Sequence, residues 1–133
     1  MLGSCGGSTG NSAQPSPTPC PSVTPGAVDE SLIPKDVPIE LLGDLVATKV
    51  KNGFLTVDSF TTTQIIELDP QFQRDLLANG YQIVSHDNEG FEAEIFFAKH
   101  GGTTGVFSLH DYPCRKGTVR LKLVYGSKEL QRR

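Results

Sequence analysis

Phe91-Glu92-Ala93-Glu94-Ile95-Phe96-Phe97 and, nearer the C terminus, Val119-Arg120-Leu121-Lys122-Leu123-Val124-Tyr125 decide the fold. In the first stretch Phe91, Ala93, Ile95 and Phe97 alternate with Glu92 and Glu94. In the second, Val119, Leu121, Leu123 and Tyr125 alternate with Arg120 and Lys122. Successive side chains on a strand point to opposite faces, so one apolar and one charged set describe an antiparallel sheet buried on one side. Glu92 and Glu94 are expected to pair across strands with Arg120 and Lys122. As exposed pairs they would contribute at most about 1 kcal/mol each.

Between these strands, Phe107 and Leu109 suit the buried face of another, entered through the turn His100-Gly101-Gly102. Ahead of Phe91, Tyr81, Ile83 and Ser85 alternate and Asp87-Asn88-Glu89-Gly90 turns the chain. Further upstream, Val46, Thr48 and Val50 alternate with Ala47, Lys49 and Lys51. Asn52-Gly53 then supplies a type I′ hairpin signal, because both central residues of that turn need positive φ. The return strand runs from Phe54 to Phe60. Between the hairpin and Tyr81 lies the one helix: Asp69 is the expected N-cap, Pro70 the first helical residue, and Phe72, Leu76 and Leu77 the apolar stripe. Gln64 to Leu68 offers a preceding turn, with Pro70 then marking a break. Asn79-Gly80 stops the helix, with Gly80 in the left-handed cap position.

The order is β-β-α-β-β-β-β. It predicts an α+β domain of two layers, a twisted antiparallel sheet of five to six strands covered by one helix. Leu32 to Ile39 holds Pro34 and Pro38, too many prolines for a central strand or helix, and reads as an extended lead-in laying Ile33, Val37 and Ile39 on the domain. Thr61-Thr62-Thr63 and Thr103-Thr104 read as loops, and Lys128 to Arg133 as a frayed charged tail.

The first 28 residues differ in kind. They hold no charged residue and five of the nine prolines, Pro15, Pro17, Pro19, Pro21 and Pro25, among Gly, Ser, Thr and Asn. Such a segment has too little apolar surface to offset its ordering entropy. Residues 1–28 are therefore read as a disordered tether and residues 29–133 as a single small domain. The domain lacks Trp, so Phe and Leu supply the bulk of its core. A formal net charge of −3 argues against a nucleic-acid partner. No apolar run reaches the roughly 18 residues a membrane span needs.

Leu2-Gly3-Ser4-Cys5-Gly6 resembles the lipobox of bacterial lipoproteins, in which Leu, two small residues and Cys mark the cleavage site. The basic and apolar signal segment of that family would precede Leu2. The resemblance implies acylation of Cys5, a membrane partner through that lipid anchor, and a polar tether holding a folded domain outside the cytoplasm. The run Asp69-Pro70 to Asn79-Gly80-Tyr81 is similar in pattern to the middle section of small α+β domains carried by such lipoproteins. Lipidation would also leave Cys20 and Cys114 as a pair in a compartment that permits a disulfide. Both cysteines stand beside proline, at Pro19-Cys20-Pro21 and Pro113-Cys114.

Chemistry-bearing residues are few. His86-Asp87 and His110-Asp111 are adjacent in sequence, so on a strand the members of each pair point apart. With His100 they read as solvated turn histidines, and no His spacing suggests a metal site. Cys114 followed by Arg115-Lys116 is a thiol near positive charge, with His110 the nearest candidate base. Glu92 and Glu94 share a face, opposite the aromatic one. No residue is assigned a catalytic role, and no cofactor is implied. The expected function is a non-enzymatic envelope lipoprotein with a binding or spacing domain. One alternative is a small secreted binding or inhibitor module using the turns at Asp87–Gly90 and Asp111–Gly117, with a patch of Phe54, Phe60 and Phe96. Another is a hydrolase or ligand carrier with a polar pocket between helix and sheet.

Overall fold

The computed structural model describes residues 25–131. Cys5 and Cys20 lie outside the described residues, as does the tether up to residue 24. Six strands form one antiparallel sheet: β1 (Asp44–Lys51), β2 (Phe54–Thr61), β3 (Gln82–Asn88), β4 (Glu92–Lys99), β5 (Thr103–Asp111) and β6 (Val119–Gly126). Their spatial order is β1-β2-β6-β5-β4-β3. The helix α1 (Ile65–Ala78) connects β2 to β3 at the far edge, and the chain then meanders back until β6 meets β2. This is the two-layer α+β architecture expected from the alternation. The β1–β2 hairpin turns at Asn52 (φ 55°) and Gly53 (φ 80°), with Lys51 paired to Phe54, as a type I′ turn requires.

The buried face carries Leu55 and Val57 from β2, Leu121 and Leu123 from β6, Phe107 and Leu109 from β5, and Ala93, Ile95 and Phe97 from β4. Helix α1 packs on β3, β4 and β5. The Phe72 ring stacks on Phe107 at 4.4 Å between centroids, Phe107 lies 5.3 Å from Phe97, and Tyr81 meets Phe97 edge-on at 5.0 Å. These rings pack against one another at the helix–sheet interface.

The helix does not cover the sheet alone. Two 3-10 turns, Glu30–Leu32 and Ile39–Leu42, flank the lead-in, and a turn closed by Val37 N–H to Pro34 O at 3.1 Å breaks the run that was expected to be extended. Ile33 and Val37 are buried, as the lead-in reading expected, with Ile39 partly buried beside them; Leu42 of the second turn is buried as well, and that turn packs on β2 and α1. Within the tail expected to fray, Lys128–Gln131 form a short helix α2 whose Leu130 is buried, and residues 132–133 lie outside the described residues. Residues 26–28, assigned above to the tether, are tied to the edge strand: Gly26 N–H donates to Val46 O at 3.1 Å and Thr48 N–H to Ala27 O at 2.9 Å. These bonds cover the middle of that edge, at Val46 and Thr48.

Helix α1 begins four residues before the expected N-cap. Ile65 and Leu68 are buried, so the apolar stripe is Ile65, Leu68, Phe72, Leu76, while Leu77 is exposed. Pro70 sits inside the helix without ending it. The hydrogen bond it forfeits would have reached the carbonyl of Ile66, a residue on the exposed side of the helix. The C terminus closes as a Schellman motif: Tyr81 N–H donates to Leu76 O at 2.9 Å and Gly80 N–H to Leu77 O at 3.1 Å, with Gly80 at φ 90°.

Candidate functional site

Among the described residues the other face of the sheet has no covering layer over most of its width, and the pairing register fixes what it displays. Reading across β2, β6, β5, β4 and β3, one row holds Asp58, Lys122, Ser108, Glu94 and Asp87. The row beside it holds Thr56, Val124, Val106, Phe96 and Ser85, and the row on the other side Phe60, Arg120, His110 and Glu92. Cations therefore stand on β6, carboxylates on β4, and β5 separates them. The expected pairing of Glu92 and Glu94 with Arg120 and Lys122 does not form, because β5 lies between their strands. Glu92 instead meets His110 (Oε2 to Nδ1, 3.2 Å), and Arg120 leans toward Asp58 at 3.7 Å.

Ser108, His110, Tyr112, Arg120 and Lys122 line a shallow concavity of about 370 Å³ on this face. Tyr112, in the β5–β6 loop, supplies its wall. Its ring lies 5.0 Å from Phe60 and the Arg115 guanidinium 5.4 Å from the same Phe60 ring, so Phe60 is 8% exposed. The three-phenylalanine patch considered from the sequence is therefore not continuous. Phe60 is covered, while Phe54 and Phe96 remain 43% and 42% exposed. Phe91 was expected on the buried face but sits in the β3–β4 turn, 59% exposed. Glu89, in the same turn, has its pKa raised by a hydrogen bond with Glu92 and by the charges of Asp87 and Glu92. The β3–β4 end of the face thus concentrates negative charge.

Two polar clusters flank the core on the helix side. Asp69, expected as an N-cap, is the fifth residue of α1 and 3% exposed. Its Oδ2 lies 2.6 Å from His86 Nε2 and accepts from Asn88 Nδ2 at 2.6 Å, while Oδ1 accepts from Gln73 Nε2 at 2.9 Å. His86 is not a turn histidine. A shift of register at Val84 reverses the alternation of β3, so that His86 and Asn88 point to the helix and Ser85 to the open face. We expect Asp69→Ala to cost about 2 kcal/mol, the loss of charge-assisted hydrogen bonds from a buried carboxylate. His86→Ala, at the rim, should cost less than half of that, and denaturant midpoints of the two variants provide the check. Equal costs would mean that the carboxylate does not organise the cluster.

The second cluster centres on Asp36 in the lead-in. Tyr81 Oη donates to its Oδ1 at 2.6 Å, Lys99 Nζ to its Oδ2 at 2.7 Å, and Asn79 Nδ2 to its main-chain oxygen at 2.8 Å. Burial alone would raise the Asp36 pKa. The hydrogen bonds from Lys99 and Tyr81 and the Lys99 charge outweigh burial and hold it below the ordinary value. Burial first, then the bond to Asp36, pushes the Tyr81 hydroxyl far up. The cluster ties the lead-in to the end of α1 and to β4.

Of the remaining sequence candidates, His100 is exposed in the β4–β5 turn and Cys114 lies in the β5–β6 loop, engaged rather than free. Thr103 and Thr104 belong to β5, not to a loop. Among the described residues no three His, Cys, Asp or Glu side chains gather as they would around a metal. The Asp69–His86 pair has the geometry of an oriented acid–base dyad, but the polar groups drawn to it are the Asn88 and Gln73 amides, which supply no nucleophile. No family model matches the chain, and no curated protein matches it.

Proposed function

We propose that this chain is a lipid-anchored, non-enzymatic binding module of a bacterial cell envelope, held through Cys5 and contacting its partner with the open face of the sheet. The observation that carries the reading is the asymmetry of the sheet. One face is sealed by α1, the lead-in and α2. The other displays a cationic, aromatic-walled concavity beside a row of carboxylates. Gly26 and Ala27 bond to the edge of β1, away from the middle of the open face.

The test is phase partitioning of the full chain, made in a bacterial host behind a lipoprotein signal segment fused ahead of Leu2. The wild-type protein should enter the detergent phase and Cys5→Ser the aqueous phase. Both in the aqueous phase would favour the secreted binding module instead.

A disulfide between Cys20 and Cys114 belongs to the same reading. Cys20 lies six residues ahead of Gly26, a reach of up to about 20 Å. From β1 to β6 is two strand spacings, about 10 Å.

A further inference from the structure

We propose that the partner received by the open sheet face is a second copy of this chain, docked about a two-fold axis that runs along β5 between the two sheets. This rests on the reading of that face as the contact surface and is independent of the Cys5 anchor.

A two-fold rotation about an axis parallel to β5 exchanges the flanking strands, so β6 of one copy faces β4 of the other. It involves no translation along the axis, so each residue keeps its level along the strands. The register then dictates the facing pairs. Arg120 and Glu92 are both level with His110, Lys122 and Glu94 with Ser108, and Val124 and Phe96 with Val106. Each cation of β6 therefore faces a carboxylate of β4 in the second copy, twice over by symmetry. The exposed Phe96 faces Val124, and the two Val106 side chains meet on the axis. The concavity walled by Tyr112 then has an occupant, the Glu92 and Glu94 carboxylates of the second copy.

The same separation by β5 that prevents these pairs within one copy creates them between two. One facing pair is unfavourable: Asp58 on β2 opposes Asp87 on β3 of the second copy. It lies toward the rim, and Asp58 is already drawn to Arg120.

The area is sufficient for association. Five strands at about 4.8 Å spacing and about 26 Å length give roughly 630 Å² per copy and about 1,250 Å² in all. That is the low end of a stable interface, and obligate dimers bury more. The dimer is accordingly a weak one, steered by charge and weakened by salt.

Sedimentation velocity of the full chain tests this with a charge swap. The wild-type protein should dimerise with rising concentration at low salt and dissociate in about 0.5 M salt, where screening is strong. The pair R120E/K122E should weaken association at least tenfold, and so should E92K/E94R, since each variant places like charges opposite one another. An equimolar mixture of the two variants should recover dimer, because β6 of one then faces β4 of the other with opposite sign at both contacts. That recovery also shows both variants folded. A wild-type protein monomeric up to millimolar concentration, a dimer indifferent to the reversals, or a mixture that stays monomeric would each overturn the proposal. A monomeric wild type that still enters the detergent phase would sink the dimer and leave the anchor standing.

Discussion

Reduction of the disulfide proposed between Cys20 and Cys114 is expected to lower the melting temperature of the full chain by about 15 °C. The bridge would close a loop of more than 90 residues. On the chain-entropy account such a closure removes enough freedom from the unfolded chain to contribute about 4–5 kcal/mol, and in practice about 3. A domain of about 100 residues loses about 4–8 °C per kcal/mol, which gives the expected shift. Cys114→Ser and Cys20→Ser should melt at the same lowered temperature as each other and as the reduced wild type. Their melting should no longer respond to reductant. Alkylation followed by mass measurement supplies the independent check: without reductant, the wild-type protein should leave Cys20 and Cys114 unlabelled. Two labelled thiols without reductant would remove the bridge, whatever the melting data show.

The architecture was legible because its signals are local. Period-two alternation in Phe91–Phe97 and Val119–Tyr125, the Asn52-Gly53 turn and the Asn79-Gly80 stop each depend on neighbours in sequence. What escaped depends on a single shift or on distant chain. A shift of register at Val84 reversed the phase of β3, so His86 turned to the helix and met Asp69. Nothing in residues 81–88 marks that shift. Asp69 before Pro70 is a sound N-cap signal, but burial of Ile65 and Leu68 outweighed it and moved the helix start. The charge pairing failed for a topological reason. Alternation reports which face a residue occupies and not which strand lies beside it, and β5 came between β4 and β6. The concavity depends on Tyr112, a loop residue with no periodic signal, which folds back on Phe60.

Gly105 is a case where an apparent weakness in the sequence is a packing requirement, and its substitution should have the other large effect. Glycine inside a strand costs order and contributes no side chain. Here it stands on the buried face of β5, paired with Phe97 on one side and Tyr125 on the other. The Phe97 ring lies over it. A Cβ at 105 would come within 2.7 and 2.8 Å of two ring carbons, and nearer still to Cζ. The ring has little room to yield, since Phe107 stacks 5.3 Å away and Tyr81 abuts it edge-on at 5.0 Å. Gly105→Ala should therefore cost about 3 kcal/mol, at the upper end for overpacking, and Gly105→Val more. The backbone is not the cause, because Gly105 lacks the positive φ of the turn glycines. Trimming the ring should then relieve the strain. Phe97→Leu alone should destabilise by leaving a cavity, yet in the Gly105→Ala background it should cost at least 1 kcal/mol less. Denaturant midpoints of the four proteins in that cycle decide the matter. Strict additivity would show that the ring escapes the methyl group by another route, and that Gly105 is not held to glycine by Phe97.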